Sequence, residues 1–160
     1  MSNVVCRPFE PVDKHKGAQL IEQLAASAYA TGAPWSQTVI ERDLGLATSD
    51  YWLIEQDGEP LGFISGSQVL DEAEITNIGV SAQAQGRGLG RQLLTVWLHA
   101  HESAQVITLE VREHNDAARA LYQRLGFHAI AVRPNYYSAP SENAVIMQRK
   151  VKGEHCDAGT

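Results

Sequence analysis

The chain reads as an α+β protein, with a mixed, mostly antiparallel sheet flanked by helices. Three observations predict this. Tyr51–Ile54, Leu61–Leu70 and Ala73–Val80 are β-rich runs separated by the turn signals Asp57-Gly58 and Asp71-Glu72, which gives an antiparallel meander. The second half alternates strand and helix patterns, which implies a crossover connection. Between the halves, a glycine-rich segment, Gln85–Gly90, joins a strand to a helix.

The elements follow in order. Val4–Phe9 is a short first strand ended by Pro8 and Pro11. Asp13 caps a helix on which Leu20, Ile21 and Leu24 recur at helical spacing. Thr31-Gly-Ala-Pro-Trp35 is a break, and Ser36 caps a second helix carrying Val39, Ile40 and Leu44. After the meander, a helix extends to Ala104 with Leu89, Leu93, Val96, Trp97 and Ala100 on one face. Val106–Val111 is an apolar strand, broken by Thr108 and Glu110. Asn115 caps a helix with Ala118, Leu121, Tyr122 and Leu125 on one face, and Gly126 ends it. Phe127–Val132 and Ala144–Val151 are the last strands.

Bulk properties limit the function. At 160 residues the chain has about one domain's length, expected over 1–151 with a polar, flexible tail at 152–160. A hydrophobic fraction of 44% with 20% charged residues fits a soluble protein. No apolar run nears the ~20 residues of a membrane span, and the N-terminus lacks a secretory pattern. Cys6 and Cys156 lack C-x-x-C spacing and read as free thiols. These readings lead to the expectation of a cytoplasmic monomer with no membrane partner. A net charge of −6 disfavours direct nucleic-acid binding and favours basic partners. His99, His101, His114 and His128 have no metal-ligand spacing, so no metal is expected.

Gln85-Gly86-Arg87-Gly88-Leu89-Gly90 suits anion binding. Glycines let the main chain approach a phosphate, and the first helix amides point outward without partners. Arg87 and Arg91 add positive charge. The segment lacks the Gly-Lys-Ser/Thr of the nucleotide P-loop, and its third glycine comes one residue early for the dinucleotide fingerprint. The pattern Gln-x-x-Gly-x-Gly between strand and helix resembles the acyl-CoA loop of the GCN5-related N-acetyltransferase (GNAT) superfamily. The resemblance implies that Gln85, Gly86, Arg87, Gly88, Leu89, Gly90 and Arg91 hold the pyrophosphate of acetyl-CoA. It further implies that the backbone of Ile78, Gly79 and Val80 pairs with the pantetheine arm. Gly79 stands where the family often has Ala, and Gly86 where it often has Arg.

Leu109-Glu110-Val111-Arg112 places a carboxylate in an apolar strand. An enclosed carboxylate is costly unless paired, and it suits proton transfer near neutral pH. The residues alone leave two readings of Glu110 open: a general base, or a Glu on a polar face paired with Arg112 or Arg119. Tyr122 by itself reads as a core aromatic, and Asn115 as an N-cap.

The motifs Leu109–Arg112, Asn115, Ala120–Tyr122, Leu125–Phe127, Pro34–Ser36, Asp71–Ala73, Asn77-Ile78, Arg133-x-Asn-Tyr-Tyr137 and Glu142-x-Ala-x-Ile-Met147 resemble one branch. That branch comprises the bacterial ribosomal-protein-alanine N-acetyltransferases (RimI). The resemblance implies Glu110 as general base, Tyr122 as general acid and Asn115 as a contact to the CoA arm. It implies a basic ribosomal-protein N-terminus as acceptor. Tyr136 and Tyr137, expected in a loop, and Trp35 are candidates to line the acceptor's groove, or else pack ordinarily. Glu74 is a candidate to attract a basic peptide, as are Glu41, Asp43, Asp71, Glu72 and Glu142. A small-amine acetyltransferase and a non-catalytic acyl-CoA-binding protein are the competing readings.

Overall fold

The computed structural model describes residues 3–138 and 140–150. Cys156, Val151 and the expected tail at 152–160 lie outside them. The elements run β1 (Val4–Pro8), α1 (Lys14–Ala28), α2 (Gln37–Leu44), β2 (Ser49–Gln56), β3 (Glu59–Val69) and β4 (Glu72–Val80). They continue with α3 (Leu89–Ala100), β5 (Val106–Arg112), α4 (Asp116–Arg124), β6 (His128–Ser138) and β7 (Ser141–Lys150). The seven strands form a sheet in the order β1-β2-β3-β4-β5-β7-β6, in which β4 and β5 are parallel. This is the mixed, mostly antiparallel sheet with four helices that the sequence predicts. The residues group into two compact units: up to Ser67 with Asn77–Ala100, and Gln68–Thr76 with His101 onward.

In the first unit, β1 and β2 are antiparallel, as are β2 and β3. Asp57 and Gly58 link β2 to β3 with φ of 52° and 84°, the left-handed pair a two-residue hairpin turn requires. Asp13 caps α1 by accepting from the Lys16 amide, and Ser36 caps α2 by accepting from that of Val39. Both helices turn apolar residues onto a core of Phe9, Ile21, Leu24, Ile40, Tyr51, Leu53 and Phe63. Trp35 is partly buried against that core. On α3 the buried face is Leu89, Leu93, Leu94, Trp97 and Leu98, wider than expected, and Ala100 is exposed. The helix also stops at Ala100, short of the expected Ala104.

β3 and β4 approach closely at Gly62. A Cβ there would lie 2.8 Å from the Gly79 carbonyl oxygen and 3.2 Å from Val80 Cα. Both are main-chain atoms that cannot swing aside.

In the second unit, Glu72–Ile75 of β4 pair in parallel with Val106–Leu109 of β5, and β5 runs on to Arg112 paired with β7. The β3–β4 turn falls at Leu70-Asp71, one residue earlier than expected, with Leu70 at φ 57°. Asn115 caps α4 by accepting from the Ala118 amide, and Gly126 ends the helix at φ 94°. The largest departure is β6. It was expected to end at Val132 but continues to Ser138, so Tyr136 and Tyr137 lie in a bulged strand and not in a loop. The hydrogen bonds of β7 carry this stretch beyond Pro134.

The β6–β7 hairpin is fastened to the β5–α4 connection. Arg112 Nη1 donates to Glu142 Oε1 at 3.3 Å and to the Pro140 carbonyl at 3.0 Å, and its guanidinium lies over the Tyr137 ring. The His114 amide donates to Glu142 Oε2 at 2.7 Å. That amide above all holds the Glu142 carboxyl below the ordinary carboxylate range; desolvation opposes it, and Arg112 adds to the lowering.

Two predictions follow from this packing. Gly62→Ala should lower stability by roughly 1–3 kcal/mol, read from the urea midpoint; an unchanged midpoint would disprove the close approach. Because Glu142 has a depressed pKa in the folded chain, its stabilisation is present above the unfolded carboxylate value and lost as pH falls. Glu142→Gln should therefore melt below wild type at pH 7. The gap should close below about pH 4, as followed by circular dichroism.

Candidate active site

The first unit holds the main-chain part of the site. Gly86 and Gly88 have φ of 82° and 78°, which an L side chain adopts only with strain. The Gln92 amide donates to the Gly88 carbonyl at 3.1 Å, so the hydrogen bonding of α3 begins from the loop. Leu89, Gly90 and Arg91 form the first turn, whose amides have no intrahelical acceptor. Positive-φ residues followed by a helix start make a concave set of N–H donors that suits an anion.

Side chains brace this loop. Gln85 Nε2 donates to the Val80 carbonyl at 2.9 Å and to that of Ala28 at 3.3 Å, which ties the loop to β4 and to the end of α1. Arg87 Nη2 donates to Gln56 Oε1 at 3.0 Å. Gly90 has no such demand on its backbone, and a Cβ there would meet only Val80 Cγ2, at 3.8 Å. Beside the loop lies an open hollow of about 690 Å³ lined by Cys6, Gly88, Arg91, Gln92, Thr95 and Val96. Cys6 is free and half-buried, and burial raises its thiol pKa, which disfavours the nucleophilic thiolate.

On β4, the Ile78 carbonyl accepts a hydrogen bond from the hydroxyl of Tyr29, the residue that ends α1. Burial raises the Tyr29 phenol, so it stays a donor at neutral pH. Gly79 lies against the end of α1, where a Cβ would stand 2.9 Å from Ala28 Cβ and 3.3 Å from Phe63 Cε1. That packing favours glycine at this position. The sequence offered no signal for Tyr29, because its partner is 49 residues away.

The second unit holds Glu110 and Tyr122, the candidate acid–base side chains. β5 alternates: Ile107, Leu109 and Val111 are buried, while Thr108, Glu110 and Arg112 take the half-buried face. Glu110 therefore lies on the more polar face, yet its side chain is only 23% exposed. Its ionic partner is neither Arg112 nor Arg119, but Arg133 of β6, whose Nη1 lies 3.2 Å from Oε2. The contact is electrostatic in kind, since among the described residues Oε2 is enclosed and accepts no hydrogen bond. The Tyr136 hydroxyl donates to the other oxygen, Oε1, at 3.2 Å. Partial burial, and then Glu110, raise the Tyr136 phenol, so it is a neutral donor. Glu74 joins this group: burial, and then the Glu110 charge, raise its carboxyl, and Arg133 opposes them.

Tyr122 is buried on α4, with its ring edge-on to Phe127 at 5.9 Å between centroids. The structure thus brings Glu74, Glu110 and Tyr136 together. Tyr137 is turned toward Arg112, and Asn115 Oδ1 is engaged as a helix cap. Arg133 was missed as a partner of Glu110, although it opens the Arg-x-Asn-Tyr-Tyr motif. Among the described residues no group of three or more His, Cys, Asp or Glu could hold a metal, and no helix is long and apolar enough to cross a membrane.

Comparison with known proteins gives the family and the fold. A profile described as the acetyltransferase (GNAT) family matches residues 17–127. The [ribosomal protein bS18]-alanine N-acetyltransferase of Haemophilus influenzae is 39% identical over 119 residues, covering 71% of this chain and 80% of that protein. The N-alpha-acetyltransferase RimI of Mycobacterium tuberculosis is 34% identical over 136 residues, covering 82% of this chain and 85% of that protein. The crystal structure of the ribosomal-protein-S18-alanine N-acetyltransferase from Escherichia coli superposes with a TM-score of 0.81 at 32% identity, covering 96% of this chain and 97% of that one. With a braced, glycine-shaped set of amide donors fit for a diphosphate and a carboxylate cluster fit for proton transfer, the chain belongs to the GNAT family of acetyltransferases, enzymes that draw the acetyl group from acetyl-CoA.

Proposed function

We propose that this enzyme acetylates the α-amine of an N-terminal alanine on a basic small-subunit ribosomal protein, by direct transfer in a ternary complex. The observation that carries the chemistry is the enclosed carboxylate of Glu110, one oxygen beside Arg133 and the other bonded by Tyr136. The acceptor follows from the names of the similar proteins, and a net charge of −6 suits a basic peptide. In this reading residues 1–151 act as one catalytic domain. It works in the cytoplasm as a monomer, without nucleic acid or membrane.

Acetyl-CoA supplies an acetyl group already activated as a thioester. The Gly86–Arg91 amides and Gln85 hold and shape the diphosphate site, and Ile78, Gly79, Val80 and Asn115 align the arm. An N-terminal amine has a pKa of about 8 and is partly protonated at neutral pH. Glu110 accepts its proton, directly or through one water. The amine nitrogen then bonds to the carbonyl carbon, and a β4 amide receives the charge that builds on oxygen. The carbon–sulfur bond breaks, Tyr122 gives its proton to the departing sulfur, and the second proton shed by the nitrogen as it becomes an amide restores the Tyr122 hydroxyl through water. Cys6, with its raised thiol pKa, supports transfer without an acyl-enzyme. Trp35, Glu74, Tyr136 and Tyr137 serve the acceptor side.

Mass spectrometry of an Ala-initiated basic peptide should show one added acetyl group. An N-blocked, Lys-containing counterpart and spermidine should stay unmodified, and acetylation of either in preference to the free N-terminus would overturn the acceptor assignment. Glu110→Gln should lower kcat by about 100-fold or more, and Tyr122→Phe should slow turnover while acetyl-CoA still binds. Gly88→Ala should weaken acetyl-CoA binding by roughly tenfold, since strain of ~1–2 kcal/mol enters the loop. Gly90→Ala should change binding little. Calorimetry separates the two, and equal effects would discount the loop geometry.

A further inference from the structure

Glu74, Glu110 and Arg133 reach one face of the sheet by register. Glu74 stands opposite Thr108, two residues before Glu110 on β5. Glu110 stands opposite Ile146 of β7, and Arg133 opposite Ala144, two residues away. Side chains two apart on a strand share a face, so all three lie on the same side. Ala144 is small and fully buried, which lets the long Arg133 side chain cross β7 and bring Nη1 to 3.2 Å from Glu110 Oε2.

Tyr136 would face the opposite side in a regular strand, because it is three residues from Arg133. Here β6 is bulged. The stretch from Arg133 to Tyr137 spans what Ala144 to Glu142 covers on β7, and Asn135 sits at φ 52°. The Asn135 amide donates to Asn143 Oδ1 at 2.9 Å, which pins the bulge. The distortion carries the Tyr136 hydroxyl to Glu110 Oε1 at 3.2 Å and its ring beneath the Arg133 guanidinium, 5.5 Å from the centroid. The two carboxylate oxygens are thus held separately, by two residues of one strand that also contact each other.

A second carboxylate complicates this. Glu74 adds a like charge next to Glu110; burial first, and then that charge, raise its carboxyl. Two carboxylates on neighbouring strands without a cation share a proton or turn apart. We infer that Arg133 is a positioning residue for Glu110, fixing the plane of its carboxylate toward the acceptor and offsetting the neighbouring Glu74. This rests on Glu110 being the base, as proposed above. Arg133 is 56% exposed at its side chain, so solvent screens the pair and its effect falls on orientation and charge balance more than on stability.

The test is steady-state acetylation of an Ala-initiated basic peptide by Arg133→Gln, Arg133→Lys, Arg133→Gln with Glu74→Gln, and Glu110→Gln, each with its melting temperature. Arg133→Gln should lower kcat roughly tenfold with KM for acetyl-CoA unchanged. Arg133→Lys should recover most of it. Adding Glu74→Gln to Arg133→Gln should recover about threefold, because the charge that Arg133 offset is gone. Carbon-detected NMR titration should show the Glu74 carboxyl moving further up in Arg133→Gln and down in Glu110→Gln. Wild-type kcat in Arg133→Gln, or a loss that tracks melting temperature and ignores Glu74→Gln, would overturn the inference while leaving the base in place. Full turnover in Glu110→Gln would remove the base itself, and the inference with it.

Discussion

A peptide N–H in the first turn of a helix has no acceptor inside that helix, and the proposed grip on acetyl-CoA depends on how this chain presents three of them. Leu89, Gly90 and Arg91 open α3 in that condition. The left-handed backbone at Gly86 and Gly88 shapes the approach to them, and Gln85 fixes the approach to β4 through the Val80 carbonyl. These donors are built from main chain, so their chemistry is insensitive to side-chain identity wherever the backbone angles are met. Gly86 and Gly88 meet those angles without strain, and Gly90 carries no steric constraint of its own.

The cluster around Glu110, proposed to transfer the proton, obeys a different constraint. Its parts come from β4, β5 and β6, and strand register alone decides which side chains share a face. A one-residue slip in any of these pairings would turn Glu110 or Arg133 to the other side. The Arg112–Glu142–His114 contacts act against such a slip at the end of β5, and the Asn135–Asn143 bond does so within the bulge. Polar contacts at the hairpin thus protect the geometry of a carboxylate several residues away.

Much of the fold was legible. Asp13, Ser36 and Asn115 were readable as caps because a short polar side chain ahead of an apolar periodicity has one main structural use. Asp57-Gly58 and Gly126 were readable because few residues tolerate positive φ. β6 was not legible beyond Val132. Pro134 and the polar residues after it signal a loop, and only pairing with β7 makes them strand. The buried face of α3 was broader than its periodicity suggested, since Leu94 and Leu98 find packing that a single stripe does not foresee.

The sequence by itself determined the glycine-shaped turn that opens α3 and the presence of a carboxylate in an apolar strand, because both are local: they depend on residue types within a few positions of each other. Tertiary structure decided what that carboxylate touches. Arg112 was the nearest cation along the chain, but Arg133, 23 positions further on, is the one that reaches it. Tyr29 likewise finds Ile78, and Tyr136 finds Glu110, only after the chain has folded. The contacts of Glu110 are set by register and by a bulge, and that of Tyr29 by the packing of the end of α1 on β4, none of which leaves a mark in the spacing of the residues joined.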